Sequence, residues 1–418
     1  MGMIWRSKFV FFAIISFTLI GVCAGQDASA ISVTNFEEFS SAIAGGETDI
    51  TIENDLEFSA LLTIAEDTKI TGSGKVLSRA SGYLGGLFSI PAGKTLEIDN
   101  LVIDGGAAGW QMDYENRSYT VPETNTGYIR VPTINGENDI IANASLIVDA
   151  TGGNLSLKNT TVQNARIGQY AANGKTKIYG AVVSGKGNNT FSNVTFKHNG
   201  AYNHGGALYI NGGTTEISNC TADGNASGVG YMGSTVGGFM YMADGNLTID
   251  GSEFKNNYAQ GNGGVAIIYR TNTAIKDSHF DHNMVGNDGS ALSLQSKTNG
   301  KSLSITDSIF ENNTGFAFTG QSMGTIWQEA WYNSEDEPAT YKNLIFRGNS
   351  AATGTAISDY SSDNTHVSLE NIEIYDNTFS AGGALYGQGG HYHLKNVDIH
   401  DNSGKRVAPS TRLGQTSS

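Results

Sequence analysis

Proline is scarce in this 418-residue chain, with 5 residues against 54 glycines. That excludes collagen-like and proline-rich low-complexity architectures, and it suits many tight turns joining short strands. Cysteine is scarcer still: only Cys23 and Cys220 occur. Cys23 falls in a leader-like stretch, so Cys220 stands alone and no internal disulfide is expected. Stability must then come from burial and backbone hydrogen bonding. Positive charge is short as well, 25 Lys and Arg facing 40 Asp and Glu for a net charge of −15. An acidic surface repels phosphate backbones, so no nucleic acid partner is expected. Long apolar runs are missing except for FVFFAIISFTLIGV, which follows Arg6 and Lys8 and precedes CAGQDASA. Residues 1–30 read as a secretory signal peptide, cut after Ala24, Gly25 or Ala30. The run is short for a membrane-spanning helix. The remaining chain is apolar enough to bury a core.

What the chain has in abundance is a repeat. FKHN at 196–199 returns as FKNN at 254–257, FDHN at 280–283, FENN at 310–313 and FRGN at 346–349. IYDN at 374–377 and IHDN at 399–402 are weaker copies. The leading phenylalanines are Phe196, Phe254, Phe280, Phe310 and Phe346. With CTADGN included, the closing asparagines are Asn199, Asn225, Asn257, Asn283, Asn313, Asn349, Asn377 and Asn402, 25 to 36 residues apart. Eight positions before each stands an apolar residue, from Phe191 and Ile217 to Leu369 and Leu394. After most of them comes a glycine-led apolar strand such as GGALYI at 205, GGVAII at 263, GSALSL at 289 or GGALY at 382. Residues 85–106 fit as a further copy.

Strands of three to six residues are too short to form a stable sheet alone. Wound as a coil and stacked, each pairs with its own copy one coil away at ~4.8 Å. Phenylalanines then pile on phenylalanines inside. Asparagine can both donate and accept, so stacked amides hydrogen-bond along the axis, where aspartate would stack like charges. The glycine pair supplies positive φ where the chain turns into the next strand. His198 and His204, in FKHNGAYNHGGALYI, read as outward residues on turns. The expected fold is an all-β solenoid of parallel strands.

GGA followed by an apolar residue, alternating with FxxN, resembles the repeats of the chlamydial polymorphic outer membrane proteins and wider bacterial families that share them. GGAL at 205–208 and 382–385 and the five FxxN copies carry the resemblance, over roughly residues 85 to 402. It implies a single-stranded right-handed parallel β-helix of the pectin-lyase type. It also implies an autotransporter passenger exported to the cell surface or outer membrane, or secreted. Such a passenger is a non-enzymatic adhesin whose partner is a host-cell or surface protein or glycan. The family's membrane β-barrel is absent from this chain, which runs from the last repeat into GKRVAPSTRLGQTSS.

The organisation expected is a signal peptide at 1–30, an N-terminal cap and first coils at 31–84, the β-helix at 85–402 and a tail at 403–418. Asn35 followed by Glu38 reads as a capping box. Phe36, Phe39 and Ile43 share a helical face, Gly45 can end the helix, and strands at Asp49–Ile52 and Leu61–Ile64 follow. Such a helix would cover an otherwise bare first coil. Two insertions break the repeat, at 107–142 with Trp110, Tyr114, Tyr119 and Tyr128, and at 326–341 with Trp327, Trp331 and Tyr332. These aromatics either bind a ligand or close their own hairpins against the flank. Deleting 328–340 is expected to leave folding intact.

No catalytic residues, cofactor or metal are assigned. HFDH at 279–282 and HYH at 391–393 lack an acidic or thiol partner at fixed spacing. NDG at 287–289 resembles a calcium-binding turn but stands as a single copy. The chain is expected not to be an enzyme. One alternative is a carbohydrate-active enzyme of the pectate lyase or polygalacturonase type, although no adjacent aspartate pair is visible. The other is a structural surface rod.

Overall fold

The structure, a computed structural model, describes residues 30–107, 111–112, 133–134, 141–149, 152–228, 235–295, 300–316, 322–329, 333–361 and 365–404. Residues 1–29, where a signal peptide is expected, and 405–418 lie outside them.

Three parallel sheets of 20, 11 and 9 strands run along the molecule, here sheets 1, 2 and 3. One coil shows the path. The chain enters sheet 1 at Thr214–Ser218, turns a corner and rejoins it at Thr221–Asp223. It passes through sheet 3 at Ala226–Ser227 and sheet 2 at Met240–Ala243, then starts again at Asn246–Asp250. Each strand lies beside its own copy, Phe254 opposite Phe280 and Phe280 opposite Phe310. The fold is a right-handed parallel β-helix, the hand that strand–crossover–strand connections take.

Two left-handed corners five residues apart shape every regular coil. The first is Asn193, Asn219, Gly251, Asp277, Asp307, Asn343, Asn371 or Asn396. The second, third in each FxxN tetrad, is His198, Gly224, Asn256, His282, Asn312, Gly348, Asp376 or Asp401. All have φ between 49° and 67°, where β-branched residues are strongly disfavoured and Gly, Asn, Asp and His are enriched. The polar residues inside the repeat are therefore fixed by backbone geometry.

After the second corner the asparagine turns inward and is fully buried from Asn199 to Asn377. Asn257 Nδ2 donates to Asn283 Oδ1 at 3.0 Å and to Ala222 O at 2.9 Å, while the Asn257 backbone N–H also donates to Asn283 Oδ1. The pattern repeats without a gap from Asn199 to Asn402. After the first corner a second ladder runs through hydroxyls: Cys220 N–H donates to Ser252 Oγ, Ser252 N–H to Ser278 Oγ and Ser278 N–H to Ser308 Oγ. Cys220 occupies a serine's place, its thiol bonded to Ser218 O and pushed up to about 11, chiefly by burial.

The core column stacks Phe254, Phe280, Phe310 and Phe346 with centroids 4.6 to 5.0 Å apart and planes within 14°. Ala222 interrupts it in the coil between Phe196 and Phe254. Phe239, just ahead of the sheet 2 strand Met240–Ala243, fills that gap, 5.2 Å from Phe196 and 5.8 Å from Phe254. Nearer the C-terminal end the core turns polar. Tyr341 donates to Gln328 Oε1 and Tyr392 to Asp359 Oδ2, both at 2.7 Å, so these inward groups are paired.

The two glycines of each pair do different work. The first has positive φ, 72° at Gly263. A Cβ on the second would meet the next coil's backbone, 2.0 Å from Ser290 O in the case of Gly264. The helix Phe36–Gly45 caps the first coil, burying Phe39, Ala42 and Ile43. Asn35 accepts from Glu38 N–H, but Glu38 reaches back to Thr34 N–H, one residue earlier than a capping box requires. Gly46 takes the left-handed cap in place of Gly45. A strand forms at Asp49–Ile52, the next at Leu56–Phe58, and Leu61–Ile64 shrinks to Leu62–Thr63. Buried Arg79 ties early coils together by donating to Gly85 O, Gly105 O and Ala144 O.

The second insertion is narrower than 326–341. Ile326–Glu329 is an ordinary strand of sheet 2, and Ala339–Arg347 one of sheet 1, paired on both sides. Deleting 328–340 would remove ladder residues, so the expectation that folding survives it is corrected. The first insertion lies almost wholly outside the described residues. Among the described residues no helix is long and apolar enough to cross a membrane.

Candidate functional site

Side chains alternate along a strand, so inward Leu208 and Ile210 leave Tyr209 pointing out. Pairing carries that position, on the side away from the core, through Tyr241, Ile267, Ser293, Trp327, Ser358 and Tyr386, of which Ile267, Ser293, Trp327 and Ser358 are nonetheless buried. A second outward column on sheet 2 holds Tyr269, Gln295, Glu329 and Tyr360. Beside them lies the residue ahead of each leading glycine, among them Tyr179, His204, Asn262 and Asp288. This outer face gathers aromatic and titratable groups from successive coils.

At its N-terminal part the rings form a pile. Tyr179 stacks on Tyr209 at 4.6 Å and Tyr209 on Tyr241 at 4.7 Å, with His204 5.5 Å from Tyr179 and 6.0 Å from Tyr241. Their faces cover one another, so the pile offers ring edges and hydroxyls outward. Burial pushes the Tyr209 phenol up to about 12 and holds His204 below its ordinary value, with Lys177 adding to the latter. His204 Nδ1 accepts from Val236 N–H at 3.2 Å, which leaves its proton on Nε2. His204 is thus part of the face and not merely a turn residue.

Further along sits Asp288, 7% exposed. Its carboxylate accepts from Met323 N–H at 3.0 Å and from Asn287 Nδ2 at 2.9 Å. Burial pushes it up to about 7; the Met323 bond opposes this and the charge of Glu329 adds to it. Tyr360 is raised by burial first, then by its hydrogen bond to Tyr386 and by the charges of Tyr386 and Asp288. Asp288 thus lies in the field of Glu329, and Tyr360 in that of Tyr386 and Asp288. Two deeply buried polar atoms nearby in the chain, Trp327 Nε1 and Ser290 Oγ, have no hydrogen-bond partner among the described residues. A buried carboxyl raised toward neutrality in the field of a second carboxylate can take up and return a proton.

Of the sequence-based binding residues, Trp110, Tyr114, Tyr119, Tyr128, Trp331 and Tyr332 lie outside the described residues. Trp327 sits on a strand of sheet 2, not a loop, and is 8% exposed. His279 Nε2 meets Glu311 Oε1 at 2.7 Å, His282 pairs with Asp281 at 2.5 Å, and His391 stacks on His366 at 4.7 Å. No group of three or more metal-ligating side chains converges among the described residues. Sequence reasoning passed over Asp288 because NDG was weighed only as a calcium turn. The available signal was an aspartate where other coils have His204 or Asn262.

A family model described as a right-handed beta helix region matches residues 144–329. No curated protein matches the chain. Among solved structures it is similar to the A-module of mannuronan C-5 epimerase AlgE6 from Azotobacter vinelandii, at 13% identity and a TM-score of 0.30, covering 90% of this chain and 100% of that one. For the AlgE4 A-module of the same organism the identity is 14%, the TM-score 0.32 and the coverage 91% and 95%. For the periplasmic alginate epimerase AlgG, as a double mutant, they are 10%, 0.28, and 90% and 84%. Likeness at this level transfers no activity. The expectation that the chain is not an enzyme is withdrawn, since these three structures are epimerases, while the likeness itself shows the fold alone.

Proposed function

We propose that this protein is a carbohydrate-active β-helix that moves protons on a polysaccharide laid along the outer face of sheet 2. The observation that carries this reading is the buried Asp288 carboxyl, which accepts from Met323 N–H and Asn287 Nδ2 and is raised toward neutrality by burial, with the charge of Glu329 adding to this. Proton transfer at a sugar carbon or glycosidic oxygen needs a group that holds its proton near working pH and can release it. Glu329, on the adjacent strand of the same face, is the second carboxylate. Coils repeat every ~4.8 Å, close to the length of one sugar unit in an extended chain, so a repeating polymer meets a repeating face. The leader-like first thirty residues support an extracellular or surface polysaccharide as substrate.

The test is incubation of the mature chain in deuterated buffer with neutral and uronic polysaccharides. New reducing ends, unsaturated products and deuterium in the sugar ring are followed. One of these signals is expected from the wild type, lowered at least ~100-fold in Asp288→Asn, in line with loss of an acid–base group. Silence across the panel, or full activity in Asp288→Asn, overturns the reading.

A further inference from the structure

We infer that sheet 1 carries a second binding site, for a neutral oligosaccharide, separate from the face proposed for catalysis. A cleft of about 430 Å³ opens over the first arm of sheet 1, walled by the turn Asp336, Glu337 and Pro338. Its floor is flat because parallel pairing sets Thr248, Ala274, Ser304 and Thr340 side by side on successive coils. Alongside runs an amide row held in one orientation. Asn272 Nδ2 donates to Asn246 Oδ1 at 2.8 Å, and Asn272 Oδ1 accepts from Ser302 N–H at 3.2 Å. Each amide has a second N–H left to offer.

The chemistry of this cleft selects its ligand. Hydroxyls and oriented amides at coil spacing match the hydroxyls of consecutive sugar units, and the Ala274 methyl offers an apolar spot for the face of a ring. The wall carboxylates of Asp336 and Glu337 are exposed and make no ion pair or side-chain hydrogen bond among the described residues. On the neighbouring outward column Lys276 pairs with Asp250 and Lys342 with Glu370. The free carboxylates accept strong hydrogen bonds from sugar hydroxyls and repel a polyuronate. A neutral glycan is therefore the occupant that fits.

Calorimetric titration of the mature chain with hexamers of β-1,4-linked glucose, mannose and N-acetylglucosamine, and with a uronic acid hexamer, tests this. At least one neutral hexamer is expected to bind, more tightly than the uronate. Its affinity should fall at least ~10-fold both in the Asp336→Ala, Glu337→Ala double variant and in Ala274→Arg, which fills the floor, at unchanged melting temperature. Asp288→Asn should leave it unchanged, so failure of the catalytic proposal and failure of this one remain separable. No neutral binding in the wild type, tighter uronate binding, or wild-type affinity in both cleft variants overturns the inference.

Discussion

Asn257 donates its side-chain amide to Asn283 one coil on, at 3.0 Å, and both residues are fully buried. Each amide in this row also binds backbone, so removing one strands donors and acceptors in a dry interior. Asn283→Ala should destabilise the fold by ~2–5 kcal/mol, summing several lost buried bonds. Asn402→Ala, at the row's end, should cost less. Urea unfolding of the two variants provides the comparison.

Phe239 reaching into the place left by Ala222 predicts a compensated pair. Ala222→Phe alone overpacks the core and should cost ~1–3 kcal/mol. Combined with Phe239→Ala, the new ring completes the column between Phe196 and Phe254 and part of that loss should return. A double-mutant cycle by denaturant melting reads the coupling directly.

Gly264 and Ser290 occupy equivalent places, yet only Ser290 carries a Cβ. Gly264→Ala puts a methyl 2.0 Å from Ser290 O and should lower the melting temperature well beyond Ser290→Gly. Equal effects of the two substitutions would show that coil separation is not what selects glycine there.

Much of the fold is legible in the sequence because its constraints are local and repeated. Burial of Phe280 and stacking of Asn283 follow from spacing alone, since parallel strands can pair only with their copies. The left-handed corners at His282 and Asp277 were equally visible as a recurring Asn, Asp, Gly or His, but needed coordinates to separate them from the inward asparagines. Gln328 and Asp359 look like outward polar residues in IWQE and ISDY, yet they point inward, because Tyr341 and Tyr392 supply their partners. The candidate site was not legible. Asp288, Glu329 and Tyr360 are far apart in the chain, and which coil brings them together depends on loop lengths that spacing does not encode.

Asp288 also makes stability depend on pH. Its pKa rises from 3.8 to about 7 on folding, so the folded state binds the proton more tightly than the unfolded chain. That contribution is fully present below about pH 4 and is lost as pH rises through 7. Asp288→Asn removes the dependence. Relative to the variant, wild type should lose up to ~4 kcal/mol between pH 4 and pH 8, an upper bound from a shift of about three units. Melting both proteins across that range checks the sign.

The most direct test of the catalytic proposal is the pH–rate profile on whichever polysaccharide the wild type converts. The account predicts a limb with an apparent pKa near 7 in the wild type, and its disappearance, with most of the rate, in Asp288→Asn while the variant stays folded. A profile flat through neutrality, or the same limb in both proteins, would contradict it.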